Sequence, residues 1–508
     1  MNQISDDTGD DDEADLLDAK SNLLDAKIAH AHSRYAAGRE SLIQRVVTED
    51  GVMERDEWEA LLQATDMELT LSDDDMAALK ARQENDIAAA AAKAKEDSPI
   101  DLDAIRGDSA KVEAFCAAMP RAALLHVHPS GTRDLATVKG LLEELDPIVD
   151  GSEILAEANN GVLTFLYPEE VDALMTLPVQ LYSEFDAADK SIIEELFFLP
   201  TDPCCHDFKR FEALFSIADV LLEQDESKKQ FVTDKTYLDF VLRAQSLGLS
   251  YIEFTKVQIP ATRSKLDEFA ELKAFIETNT DVKVNFVYAF VRTLPALLNK
   301  GWAQDLVDLV AELPEGALKG IDLLANEVGT PALETGQGIY ASVLNARESG
   351  LIDLKSTMHS GELGDLRNVR DSMIMGAQRI GHGVLLQQDP VALEYARLES
   401  IGIVCSLVSN QLLQVHFPYS THPFLNYLRL GLPVSLSTDD EGMFRTDISN
   451  ECVIAVTNTD IQYSELAALS RNSVEQSFAD DATKIDLMAT LEDELESFES
   501  TWEDEEAV

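Results

Sequence analysis

Histidines two residues apart are the first feature of this sequence that could do chemistry. A β-strand turns residues i and i+2 to one side, where two imidazoles can grip one cation. His126 and His128 form such a pair at the end of the apolar run 122–127. His30 and His32 form another, but inside a helical pattern, where two residues advance about 200° and the rings diverge. That pair reads as surface. Polar groups gather at the ends of three further apolar stretches. They are His359 and Glu362 in Thr-Met-His-Ser-Gly-Glu, His382 in Arg-Ile-Gly-His-Gly, and Asp439 with Asp440 in Leu-Ser-Thr-Asp-Asp. Adjacent carboxylates at the end of an apolar strand are costly to bury unless a cation or hydrogen bonds compensate them. Three histidines and one aspartate complete a zinc coordination set, leaving a carboxylic acid, an imidazole and a second carboxylate for proton transfer.

Such groups need a scaffold that brings distant strand ends together. From residue 122 onward, short β-rich segments alternate with longer helical ones, the signature of βα units around a parallel sheet. Eight strands are expected, at 122–128, 251–257, 282–291, 318–324, 354–359, 379–386, 402–407 and 433–438. Eight parallel strands suggest a closed barrel with its chemistry at the C-terminal strand ends. The expected fold class is therefore α/β, a TIM (β/α)8 barrel with an N-terminal helical extension. A large helical insert, 133–250, follows strand 1 and carries a further strand at 162–167.

Residues 1–15 hold seven acids and no base, which predicts a solvated tail. The pentapeptide Leu-Leu-Asp-Ala-Lys begins at Leu16 and again at Leu23, and the seven-residue offset puts both leucine pairs on one helical face. A packing or homodimerisation helix is expected there. Helical pattern continues through the alanine-rich 88–94 until Ser98-Pro99 breaks it. The expected units are an acidic tail and helical extension (1–105), a barrel (106–490) and an acidic C-terminal tail (491–508). That last tail reads as frayed helix or coil, with nine acids and no base.

With 508 residues and 45% hydrophobic composition, the chain can bury a large core. Its 94 acidic and 40 basic residues give a net charge of -54. A field of that sign repels nucleic acid and anionic membranes, so neither is expected as a partner. It also suits a salty cytoplasm, where screening weakens self-repulsion. The first residues lack the basic and apolar regions of a secretory signal, and no run of about 18 apolar residues occurs. A cytoplasmic location is expected. Five irregularly spaced cysteines describe no disulfide framework, and Cys204-Cys205-His206 lacks a second ligand pair at metal spacing.

In content and order, the four chemical motifs resemble those of the adenosine deaminase family, among the amidohydrolase-like barrels. The resemblance runs from about Met119 to beyond Asp440. It implies one Zn2+ per subunit held by His126, His128, His359 and Asp439. It also implies Glu362 as proton shuttle, His382 as the imidazole beside the attacking oxygen, and Asp440 as the carboxylate aligning water and purine. The implied reaction is hydrolysis of adenosine or 2′-deoxyadenosine to the inosine product and ammonia. The alternatives are another 6-aminopurine substrate (AMP, adenine or a modified adenosine) or a non-catalytic nucleoside-binding protein. Scarce lysine and arginine argue against a phosphate. The N-terminal region is placed beside the self-associating extension of the family's growth-factor-like branch.

Two positions depart from the family's pattern. Where an acid commonly binds the ribose, this sequence has Ser130, a weaker hydrogen-bonding partner. Where a glycine amide approaches the purine, it has Ala325, which keeps the N–H but adds a methyl group. Asp322 and Glu327 read as structural hydrogen-bonders, and His422 in His-Pro-Phe as structural. His416 carries no assignment. Nothing resembles the cytidine deaminase signature of His-x-Glu followed by Pro-Cys-x-x-Cys.

Overall fold

Strands of a parallel barrel are covered on both faces, so they read as near-continuous apolar runs. In the computed structural model, which describes residues 23–30, 33, 57, 71–158, 168–200, 208–312, 316–413 and 418–506, those runs are strands. They are β1 (Ala123–Val127), β4 (Tyr251–Val257), β5 (Lys283–Val291), β6 (Leu318–Leu324), β7 (Lys355–Ser360), β8 (Arg379–His382), β9 (Gly402–Cys405) and β10 (Val434–Leu436). They pair in chain order, each neighbour parallel. The ring returns on itself where Asp439 N donates to His126 O at 3.1 Å and His128 N to Asp439 O at 3.4 Å. The fold is a TIM-type barrel.

All eight expected strands are present, and of those that stop early β8 and β9 do so for clear local reasons. After His382 the chain turns at Gly383, φ 61°, into a 3-10 turn, and after Cys405 it enters the helix Leu407–Leu412. The early stops place His382 at its strand's last position and Asn410 in the helix just beyond β9.

The insert is helical, as expected. Its small antiparallel ribbon joins β2 (Ile148–Val149) to β3 (Gln180–Leu181), and its helices include Leu135–Leu145, Phe208–Leu222 and Lys229–Ser246. Amphipathic spacing gives it a core of its own, with Val138, Leu142, Ile154, Ile217 and Leu221 fully buried together. The strand expected at 162–167 lies outside the described residues. So do the 1–15 tail, Leu16, His32, the Cys204-Cys205-His206 run and His416.

Helix Asp73–Asp97 is capped by Ser72, whose hydroxyl accepts from Asp75 N at 3.2 Å. It docks on the barrel through Gln83, which donates to Pro390 O at 3.0 Å. Leu24 of the second pentapeptide copy and Ile28 just after it pack with Leu79 and Val391 of the same chain. At the other end, where frayed helix or coil was expected, a helix runs Asp481–Glu506. Leu491 and Leu495 are buried, and the Phe498 and Trp502 rings lie 5.4 and 5.0 Å from Phe115. Acid-rich composition masked an apolar stripe at helical spacing. Among the described residues, no helix is long and apolar enough to cross a membrane.

Candidate active site

The strand C-termini bring the sequence-identified groups to one place. His126 is in β1, His128 directly follows it, His359 is in β7, His382 ends β8, and Asp439 and Asp440 lie beyond β10. Nε2 of His128 stands 3.1 Å from Nε2 of His359, and Nε2 of both His126 and His128 lie 3.3 Å from Asp439 Oδ1. Ligand atoms about 2.0–2.2 Å from a tetrahedral ion stand about 3.3–3.6 Å from one another. His126 Nε2 is buried with no hydrogen-bond partner among the described residues, as expected of a nitrogen aimed at a cation. Residues and spacing therefore fit a metal ion.

The cluster's ionisation follows from burial and neighbours. Burial and the His359 charge push His126 down to about 4. Burial also disfavours charge on His128, but Asp440 and Asp439 outweigh it and lift the ring to about 9. Burial works against the Asp439 carboxylate, yet the His126 and His128 rings beside it hold it well below the usual range. Asp440 and Glu362 go the other way. Burial raises both well above ordinary carboxyl values, and the Asp439 charge adds to it. Burial and neighbours thus favour the charged form of one carboxyl group and the neutral form of the two beside it, an arrangement suited to proton transfer.

Supporting contacts hold these groups in place. Asp322 Oδ1 accepts from His359 N at 3.1 Å, and its Oδ2 lies 2.7 Å from His359 Nδ1, which turns the other ring nitrogen toward the cluster. Ser409 Oγ donates to Asp439 Oδ2 at 2.7 Å. Glu327 accepts from the backbone N–H of Gly361 and Glu362, each at 3.0 Å, and from Asn368 Nδ2 at 2.9 Å, so it anchors the turn carrying Glu362. Asp322 and Glu327 are hydrogen-bonders, as the sequence suggested. His382 and Asp439 have φ of 67° and 59°, a left-handed conformation that non-glycine residues adopt at a cost, here at the site itself.

A cavity of about 610 Å3 opens above the cluster, within the range of small-molecule sites. It is lined by His128, His359, Glu362, His382, Asp439 and Asp440, with His126 buried behind them. Ser130, on the 3-10 turn after β1, and Ala325, just past β6, also line it. Ala325 has φ 83°, a left-handed conformation that favours glycine. Helices Phe208–Leu222 and Lys229–Ser246 of the insert supply the outer wall through Phe211, Asp219 and Thr236.

Sequence reasoning passed over several contributors. Gly131 and Gly381 leave room for Asp440 and His126, and Ser409 and Asn410 hold site residues from the helix after β9. The only sequence signal for the glycines was their closeness to His-x-His and to His382.

A profile of the adenosine deaminase family matches residues 200–494, more than half of the chain. The chain is 29% identical over 258 residues to an aminodeoxyfutalosine deaminase of Streptomyces avermitilis, covering 50% of this chain and 69% of that protein. It is 27% identical over 217 residues to an adenosine deaminase of Shewanella pealeana, covering 42% of this chain and 62% of that protein, just under two thirds of its length. In fold it is similar to adenine deaminase from Arthrobacter aurescens, with a TM-score of 0.54 at 22% identity, covering 74% of this chain and 98% of that one. It is also similar to the N6-methyl-AMP deaminase of Arabidopsis thaliana, with a TM-score of 0.53 at 18% identity, covering 75% and 98%. With four strand ends converging on one imidazole and carboxylate cluster, and a family profile spanning most of the barrel, the chain belongs to the adenosine deaminase family of hydrolytic deaminases.

Proposed function

We propose that the protein is a zinc-dependent deaminase converting adenosine and 2′-deoxyadenosine to inosine and 2′-deoxyinosine with release of ammonia. The observation that carries this reading is the convergence of three imidazoles and Asp439 beside the buried acid Glu362, with His128 Nε2 3.1 Å from His359 Nε2 and both His126 and His128 Nε2 3.3 Å from Asp439 Oδ1. His126, His128, His359 and Asp439 would hold one Zn2+ per subunit. When bound, zinc supplies hydroxide at neutral pH by lowering the pKa of its water to about 7.

The chain's own residues do the rest. Glu362, neutral through burial, gives its proton to purine N1 and makes C6 electrophilic. His382 holds the attacking oxygen, and Asp440 orients water and purine. The Ala325 N–H meets the purine, and Ser130 binds a sugar hydroxyl. Residues 106–490 form the catalytic unit, residues 1–105 a self-association region, and the protein works in the cytoplasm.

One observation favours a second reading, a nucleoside bearing an acidic group. Arg133 lines the cavity with Nε donating to Thr236 Oγ1 at 2.9 Å, and among the described residues no carboxylate lies within 4.0 Å of its guanidinium. A panel of adenosine, 2′-deoxyadenosine, adenine and AMP, assayed for ammonia with zinc-loaded protein, separates the readings. Adenosine and 2′-deoxyadenosine should be preferred. A preference for AMP that Arg133→Met removes would select the second reading, and no ammonia from any purine would refute both. Glu362→Gln should lower kcat by about 10²–10⁴-fold, the usual weight of a positioned acid.

A further inference from the structure

Two side chains, His422 and Asn410, link a backbone amide to the His382 ring. Phe424 N lies 3.3 Å from His422 Nδ1. A backbone N–H can only donate, so Nδ1 accepts and the neutral ring carries its proton on Nε2. Burial keeps His422 neutral, down to about 3. His422 Nε2 lies 3.0 Å from Asn410 Oδ1, so that N–H donates to the amide carbonyl. The Asn410 amide is thereby oriented, with Nδ2 3.0 Å from His382 Nδ1. An amide nitrogen has only protons to offer, so His382 Nδ1 must accept. All three side chains are buried, which removes water as a competing partner.

The other nitrogen of His382 faces the chemistry. Nε2 is buried without a hydrogen-bond partner among the described residues and sits 3.7 Å from Glu362 Oε2. His382 also belongs to a group with His126, His359 and Asp439 whose candidate ligand atoms all lie within 4.8 Å of one another. Position alone would let it act as a metal ligand or as a base, and the direction of the hydrogen bonds decides between these and a third role.

We infer that Asn410 and His422 are positioning residues that fix His382 as the Nε2–H tautomer, so that it presents a proton, not a lone pair, to the oxygen attacking the purine. A protonated Nε2 cannot ligate a cation, which leaves the donor set at three imidazoles and Asp439. It also cannot take the water's proton, which assigns that task to a carboxyl group. The catalytic consequence rests on the deaminase reading above, whereas the tautomer rests on the hydrogen bonds alone.

The test is 15N NMR of the full-length chain labelled at histidine, with and without zinc. His382 should show an unprotonated Nδ1 and a protonated Nε2 in both states. In Asn410→Asp the carboxylate can only accept, so it draws a proton onto His382 Nδ1 and reverses the tautomer. That variant should lose about 10- to 100-fold in kcat, as other residues behind a metal site do, with KM little changed. His422→Gln, whose amide N–H replaces Nε2–H, should keep the wild-type tautomer and most of the activity. A wild-type spectrum with the proton on Nδ1 overturns the inference, as does an Asn410→Asp spectrum with Nε2 still protonated. Should Asn410→Asp fail to fold, the wild-type and His422→Gln spectra decide. The expected tautomer without deamination of any purine would refute the proposed reaction and leave the positioning role standing.

Discussion

Gly131 and Gly381 are glycines because side chains of the site fill the space a Cβ would take. A Cβ at Gly131 would stand 1.7 Å from Oδ1 of Asp440, and one at Gly381 would stand 2.7 Å from Cε1 of His126. Gly131→Ala must therefore displace Asp440 without touching the proposed zinc ligands. The expected result is a loss of about 10²-fold in kcat/KM, the scale of a 1 Å misplacement, with zinc content unchanged. Wild-type turnover in that variant would remove Asp440 from the mechanism. The convergence of His126, His128, His359, Glu362, His382, Asp439 and Asp440 was legible in the sequence because each sits in a short polar cluster closing an apolar run. Asn410 and His422 were not, because Asn410 bonds His382 on β8 and His422 bonds Asn410, partners that no local spacing records.

At the scale of elements, the barrel must hold its strand ends in register for the site to exist. Near the strand N-termini, Arg379 at the start of β8 and Glu253 of β4 form an ion pair of 2.6 Å with both side chains buried. Arg379 also donates to Leu125 O of β1 at 3.2 Å, so one guanidinium ties three strands. Removing one partner of a buried pair leaves an uncompensated charge, so Arg379→Met should lower unfolding stability by about 3–5 kcal/mol. Denaturant unfolding measures this, and an unchanged midpoint would contradict it. Strand existence was legible because two-sided burial leaves continuous apolar runs such as Phe286 to Val291. Strand ends were not, since Gly383 and Ser406 turn the chain through backbone geometry rather than hydropathy. The final helix was read as a frayed helix or tail, and its packing against the barrel was missed for another reason. Leu491, Leu495, Phe498 and Trp502 recur at helical spacing, and the acids between them, which face water, dominated the composition.

For the whole molecule, a net charge of -54 is the dominant long-range force. Like charges at this density repel one another in the compact state, and salt screens them over a Debye length of about 3 Å at 1 M. The melting temperature should rise from low to molar potassium chloride, and a flat or falling profile would contradict a surface adapted to salt. The same field attracts cations toward an acidic cavity, so zinc loading should weaken as ionic strength rises. The central claim is that His126, His128, His359 and Asp439 seat one zinc ion on which deamination depends. Titrating metal-stripped protein with Zn2+ while recording ammonia release from adenosine tests it most directly. Activity should start near zero and saturate at one equivalent per chain. Turnover that is independent of zinc, or stoichiometric zinc binding with no ammonia released, would contradict it.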